Sequence, residues 1–218
     1  MIEDRNQPAA LASEPTLTKV EAGLPRVRVR DRIFETACRL FYEHGIRAVG
    51  VDTIASEAGT NKMSFYRNFA SKEELVAEYL RYQARQYWSW WEDVVAQFEG
   101  DPRRQAEALF DAYAPHTKDM CPRGCALANA AIEVNVDDAL VSNIVRDYKA
   151  EVRRRLRNLA RDMNARDPNQ LGDALMLLME GGLSSRLATE SDPGPMSAAA
   201  AAARALIAAH APEHDASR

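Results

Sequence analysis

Apolar residues recur along this chain at the three-and-four spacing of amphipathic helices, and no run reads as a strand with a partner. Ile33, Ala37, Leu40 and Phe41 make one stripe, broadened by Phe34, in a helix predicted over 29–44 and ended by Gly45. Ile54 and Ala58 face inward on a short helix over 51–58. Phe65 and Phe69, four apart, do so on another over 62–69, where Asn61 stands as the N-cap. Ser71 and Glu74 form a capping box that opens a long helix running to about 98, with Leu75, Tyr79, Tyr82, Trp90, Val94 and Phe98 as core positions. Five more helices are predicted over 103–114, 121–134, 138–164, 168–189 and 196–210. Two begin at Asp101–Pro102 and Asp167–Pro168, an aspartate cap followed by proline in the first turn. The fold class is all-α, and no segment repeats.

The tight AGTN break (Ala58 to Asn61) redirects the chain between two short helices. The second helix leaves Lys62, Met63, Ser64, Tyr66, Arg67 and Asn68 to face outward or sideways, as in a helix-turn-helix whose second helix enters a major groove. The reading divides the chain into an arm over 1–25, a three-helix DNA-binding head over 26–72, a larger helical body over 73–210 and a tail over 211–218. At 218 residues and 46% hydrophobic content the chain is long and apolar enough to bury a sizeable core. It lacks a membrane-length apolar run and a signal-peptide core, so a cytoplasmic location and no membrane partner are expected.

The formal charge of −4 argues against a nucleic-acid partner until it is divided. From Arg26 to Lys72 nine Lys and Arg stand against five Asp and Glu, which leaves +4 on the head and −8 on the rest. Arg26, Arg28 and Arg30, just before the first helix, suit either a solvated helix entry or an arm lying along phosphates or in a minor groove.

IASEAG, a cap residue, K-x-S-F-Y-x-x-F and then SKEEL together resemble the TetR/AcrR family of bacterial transcriptional regulators over residues 29 to about 80. The resemblance implies a homodimer on double-stranded operator DNA, a long connecting helix and a helical ligand-binding and dimerisation region. It places DNA-facing roles on Lys62, Met63, Ser64, Tyr66, Asn68 and Lys72, with Tyr66 and Lys72 on phosphates, Lys62 and Ser64 nearest the base edges, and Arg67 on phosphate or turned to the body. Three departures stand out. Asn68 occupies a place where His is common, Asn61 replaces the usual Ser cap, and Gly50 and Val51 stand where hydroxyl residues often open the second helix.

In the body, Trp88, Trp91, Tyr113, His116, Met120, Met176 and Met179 supply adaptable apolar surface for an apolar or aromatic small-molecule effector, or plain core. Leu171, Leu175, Leu178 and Leu183, with Gly181–Gly182 and then Leu206, read as a dimer stripe of a two-fold four-helix bundle, or as burial within one subunit. Cys121 and Cys125, in CPRGC, read as packing residues or as a thiol-based redox sensor, and Cys38 as core. Arg153, Arg154, Arg155, Arg157 and Arg161 read as a solvated face paired with acids. GxGxxG, P-loop and HExxH motifs are absent, so neither an enzyme nor a bound cofactor or metal is expected. The favoured function is a repressor released from a pseudo-palindromic operator by its effector, with redox sensing or effector-free binding as alternatives.

Overall fold

The computed structural model describes residues 28–133, 139–188 and 194–211. The predicted arm, Arg26 and all of the tail beyond Ala211 lie outside these. Every regular element among the described residues is helical: α1 (Val29–His44), α2 (Val51–Glu57), α3 (Lys62–Asn68), α4 (Lys72–Val95), α5 (Pro102–Met120), α6 (Ala126–Glu133), α7 (Ala139–Asp162), α8 (Pro168–Ala188) and α9 (Ala199–His210). Short 3-10 turns follow α4 and precede α9.

The predicted caps form. Asn61 Oδ1 accepts from Ser64 N at 2.9 Å, Ser71 Oγ from Glu74 N at 3.1 Å, Asp101 Oδ1 from Arg104 N at 3.0 Å and Asp167 Oδ1 from Gln170 N at 2.9 Å. The Glu74 carboxylate reaches back to Ala70 N at 2.6 Å, one residue before the usual capping-box donor.

Two helices differ from expectation. α5 passes through Pro115 instead of ending at 114, because Tyr113 and Thr117 on either side are buried and hold the helix against the loss of one hydrogen bond. α6 begins at Ala126 rather than 121, since Cys121 closes α5 and the intervening turn needs Gly124 at φ +85°.

α1, α2 and α3 pack as a head around Ile33, Ala37, Leu40, Phe41, Ile54 and Phe65. α4 leads from it into the body, where α7 and α8 make the most extensive pairing. On α7 the stripe Val141, Val145, Tyr148, Val152, Leu156 and Ala160 is buried, and on α8 Leu171, Leu175, Met179 and Leu183 meet it. This corrects the dimer stripe: Leu171, Leu175, Gly182 and Leu183 are consumed by the subunit's own core, and Leu178 and Leu206 are half-buried. α8 is apolar on nearly every face, so its periodicity does not say which face looks inward. Of the glycine pair, Gly182 meets Met196 of the last 3-10 turn, and Gly181 has nothing within 4 Å.

Four of the five arginines of the α7 run pair with acids as expected, while Arg161 donates to Asn158 Oδ1 at 2.7 Å instead. Arg153 and Arg157 share Asp173 at 2.7 and 2.6 Å, Arg154 binds Glu151 at 2.6 Å, and Arg155 joins Glu151 at 2.7 Å as well as Glu92. Those guanidiniums hold the carboxyls of Glu151 and Asp173 well below the usual range.

Candidate nucleic-acid interface and body cavity

The α2–α3 turn sets the direction of the reading helix. Gly59 takes φ +64°, and Thr60 N reaches Ala55 O at 2.9 Å, which folds the chain back before Asn61 caps α3. Phe65 and Phe69 anchor α3 from below, with ring centroids 5.8 Å apart, and the Arg30 guanidinium lies 4.7 Å from the Phe69 ring while pairing with Glu78 at 2.5 Å. With its inner face fixed, α3 turns Lys62, Met63, Tyr66 and Arg67 to solvent, Met63 67% and Tyr66 48% exposed. Nothing among the described residues covers them. Ser64 is half-buried beside them.

Each outward residue has its own surroundings. Lys62 Nζ reaches Asp52 Oδ2 of α2 at 3.0 Å, and both side chains stay largely exposed. The Tyr66 ring stands edge-on to Phe65 at 5.3 Å. Arg67 carries no ion pair among the described residues. Asn68 differs from the expected exposed donor, because its amide donates back to Ser64 O at 2.7 Å and the residue is half-buried.

Lys72 also departs from a free phosphate-binding ammonium. Its Nζ donates to Ile46 O at 2.6 Å, within 6.0 Å of the Phe41 ring, and burial lowers its pKa. Ile46 belongs to the loop between α1 and α2, and the same loop is gripped from the other side. Glu133 Oε2, at the end of α6, accepts from Ile46 N at 2.6 Å and Arg47 N at 3.2 Å. Its carboxylate lies where a Cβ on Gly45 would sit, 2.8 Å away. No sequence signal marks Glu133, since its partners are backbone N–H groups 86 and 87 residues away. A second tie joins α1 to the α5–α6 turn: Tyr42 OH donates to Gly124 O at 3.1 Å and accepts from Arg123 N at 3.0 Å.

Directly behind these ties lies a cavity of about 590 Å³, walled by α1, α4, α5, α6, α7 and α8. Of the residues proposed for an effector, Tyr113, His116, Met120 and Met179 line it; Trp88, Trp91 and Met176 do not. Trp91 is core, and Trp88 packs against Arg155, whose guanidinium is 4.3 Å from its ring centroid. The wall instead takes Trp90, stacked on His116 at 4.4 Å, with Tyr87 and Tyr148. Successive aromatic residues on α4 differ in azimuth by about 100°, so choosing the inward one needs the helix phase to a single residue.

All three cysteines line the same space, Cys38 included, which was expected in the core. Burial pushes the Cys121 thiol up to about 11 and Cys38 to about 12, the reverse of what a reactive thiolate needs. A variant retaining only Cys121 should therefore alkylate with iodoacetamide at a rate climbing about tenfold per pH unit from 7 to 10. A plateau by pH 9 would contradict that burial. Among the described residues no three His, Cys, Asp or Glu side chains are placed to hold a metal ion.

Residues 33–79 match the family model described as bacterial regulatory proteins, tetR family. Over 92 residues the chain is 30% identical to the uncharacterized HTH-type transcriptional regulator YerO of Bacillus subtilis, covering 40% of this chain and 32% of that protein. Over 52 residues it is 48% identical to the HTH-type transcriptional repressor KstR2 of Mycobacterium tuberculosis, covering 24% of this chain and 26% of KstR2. The match thus spans a third or less of these relatives. A longer one joins it to the HTH-type transcriptional repressor ComR of Escherichia coli, 24% identical over 75% of this chain and 81% of ComR. In fold it is similar to SCO4454, a TetR-family transcriptional regulator from Streptomyces coelicolor, with TM-score 0.76 at 21% identity over 84% of this chain and 96% of that one. Residues 33–79 thus match the tetR family of bacterial regulatory proteins, and they continue into a helical body of the same fold as SCO4454.

Proposed function

We propose that the protein is a homodimeric, one-component repressor that reads a pseudo-palindromic operator with α3 and releases it when a small apolar or aromatic molecule occupies the body cavity. The observation that carries the DNA-binding part is the exposed face of α3, where Lys62, Met63, Tyr66 and Arg67 stand on an anchored helix with nothing among the described residues over them. Lys62 and Ser64 reach base edges, while Tyr66 and Arg67 hold phosphates. Asn68 and Lys72 serve the head's own structure in the free protein. Two heads must meet major-groove faces one helical turn or more apart, so their spacing controls affinity.

The dimer face moves to the outer side of the last two long helices. On α8 the outward line is Leu177, Gly181, Ser184 and Ala188, with Leu177 73% exposed, and on α9 it is Ala201, Ala205 and Ala208. These small side chains let two helix pairs approach closely across a two-fold axis.

Coupling runs through the ties already described. A molecule seated between α4, α5 and α6 displaces the α5–α6 turn and α6, which hold α1 through Tyr42 and the α1–α2 loop through Glu133. It acts only as far as it prefers the mis-spaced arrangement, and a tenfold loss of DNA affinity takes about 1.4 kcal/mol of coupling. A redox trigger is not favoured, because Cys121 and Cys38 are held as thiols.

The test is selection of binding sites from fragmented genomic DNA by the full chain, followed by anisotropy titration on the recovered duplex. A two-fold symmetric site supports the reading, and recovery of no preferred sequence overturns it. On the recovered site, Arg67→Ala should reduce the log–log salt slope by about one unit, as expected of a lost phosphate contact.

A further inference from the structure

The cavity has a charge and an inner surface that select among ligand classes. Tyr87, Trp90, Tyr113 and Tyr148 form a continuous aromatic wall, with centroid separations of 5.4 Å from Tyr87 to Trp90, 5.4 Å from Tyr87 to Tyr148 and 6.0 Å from Trp90 to Tyr113. Aromatic rings carry negative π-faces over which a cation can be held. The three tyrosine hydroxyls have no hydrogen-bond partner among the described residues, although all three side chains are deep in the body. Hydroxyls that line a cavity in this way can meet a ligand or water there.

Fixed charges bias the same space. Glu43, Asp93 and Glu180 line it against a single guanidinium, Arg39. Arg39 is shared between Glu43 at 3.3 Å and Glu57 at 2.9 Å, and Glu180 is bound by Lys149 at 2.5 Å. Counting those partners, four carboxylates stand against two cations, and Asp93 carries no ion pair among the described residues. Behind the wall, Arg186 donates to Cys121 O, and Asp119 lies near His116. His116 adds no charge near neutral pH, since burial lowers its pKa. The charged side chains of the lining are therefore net negative, and Arg186, whose Nε is buried without a partner among the described residues, lies behind the wall on Cys121 O.

We propose that the effector class of this cavity is a hydrophobic organic cation, whose positive centre sits among Tyr87, Trp90, Tyr113 and Tyr148 with Asp93 and Glu180 as counter-charges. The proposal rests on the reading of the cavity as the effector site. The aromatic faces and the carboxylates act together, because the walls exclude water and leave cation–π attraction unscreened.

The test uses tetraphenylphosphonium and tetraphenylborate, ions of nearly the same shape and opposite charge, titrated calorimetrically into the full chain. The cation should bind at least about tenfold more tightly than the anion. Asp93→Asn combined with Glu180→Gln should shrink that preference severalfold with an unchanged helical circular dichroism spectrum. Trp90→Ala should weaken the cation; binding that survives it unchanged places the ion on the acidic exterior and overturns the proposal. Equal or anion-preferring binding that Trp90→Ala weakens overturns the charge assignment and leaves the effector cavity standing. Binding of neither ion overturns both.

Discussion

The double variant Lys62→Ala/Tyr66→Ala should lose at least about a hundredfold in affinity for its operator, measured by anisotropy at fixed salt, while keeping its dimer and its melting temperature. The size follows from removing two kinds of contact at once, a base-edge donor that discriminates sequence and a phosphate contact that fixes the helix in the groove. The fold should not notice. Among the described residues the Lys62 ammonium pairs with the exposed carboxylate of Asp52, and Tyr66 stands half outside on the edge of Phe65. A variant that retains specific, high-affinity binding would remove α3 as the reading element. Asp52→Asn supplies the opposite sign, because it removes an anion from the DNA-facing side and releases Lys62, so affinity should rise and do so most at low salt.

The head was largely legible from sequence because its determinants are local. A stripe at three-and-four spacing, Asn61 as cap, Gly59 at the turn and two phenylalanines four apart dictate α1 to α3 without reference to distant residues. What sequence misplaced depends on contacts far along the chain. Lys72 has the position and charge of a phosphate ligand, yet Ile46 O, 26 residues earlier, takes its ammonium. Glu133 had no local signature because it satisfies backbone groups of the distant α1–α2 loop. The cavity was foreseen as aromatic and methionine-lined, but Trp90 rather than Trp88 or Trp91 faces it, a choice set by how α4 rotates against α5 and α7. The α8 stripe failed for another reason: on a helix apolar nearly all round, composition alone does not say which face the subunit's own core takes.

Gly172 was given no role from sequence, and it carries the largest packing prediction. At this point α8 lies directly on α7: a Cβ at position 172 would stand 2.7 Å from both the Cα and the N of Arg157. Those are main-chain atoms of a helix, so no rotamer change relieves the contact. The helices must separate along their most extensive interface, where Leu156 and Ala160 meet Leu171 and Leu175 with no solvent exposure. Gly172→Ala should therefore destabilise the protein by about 1–3 kcal/mol despite the better helix propensity of alanine, and Gly172→Val by more, read as the midpoint of urea unfolding. Gly181→Ala is the matched control in the monomer fold, since nothing lies within 4 Å of the Cβ it would gain. Because Arg157 also binds Asp173 at 2.6 Å, one residue along α8, separation of the helices should loosen that pair as well. A Gly172→Ala protein as stable as the parent would mean that α7 and α8 do not approach as closely as described, and with that the inward phase assigned to α8 would fall.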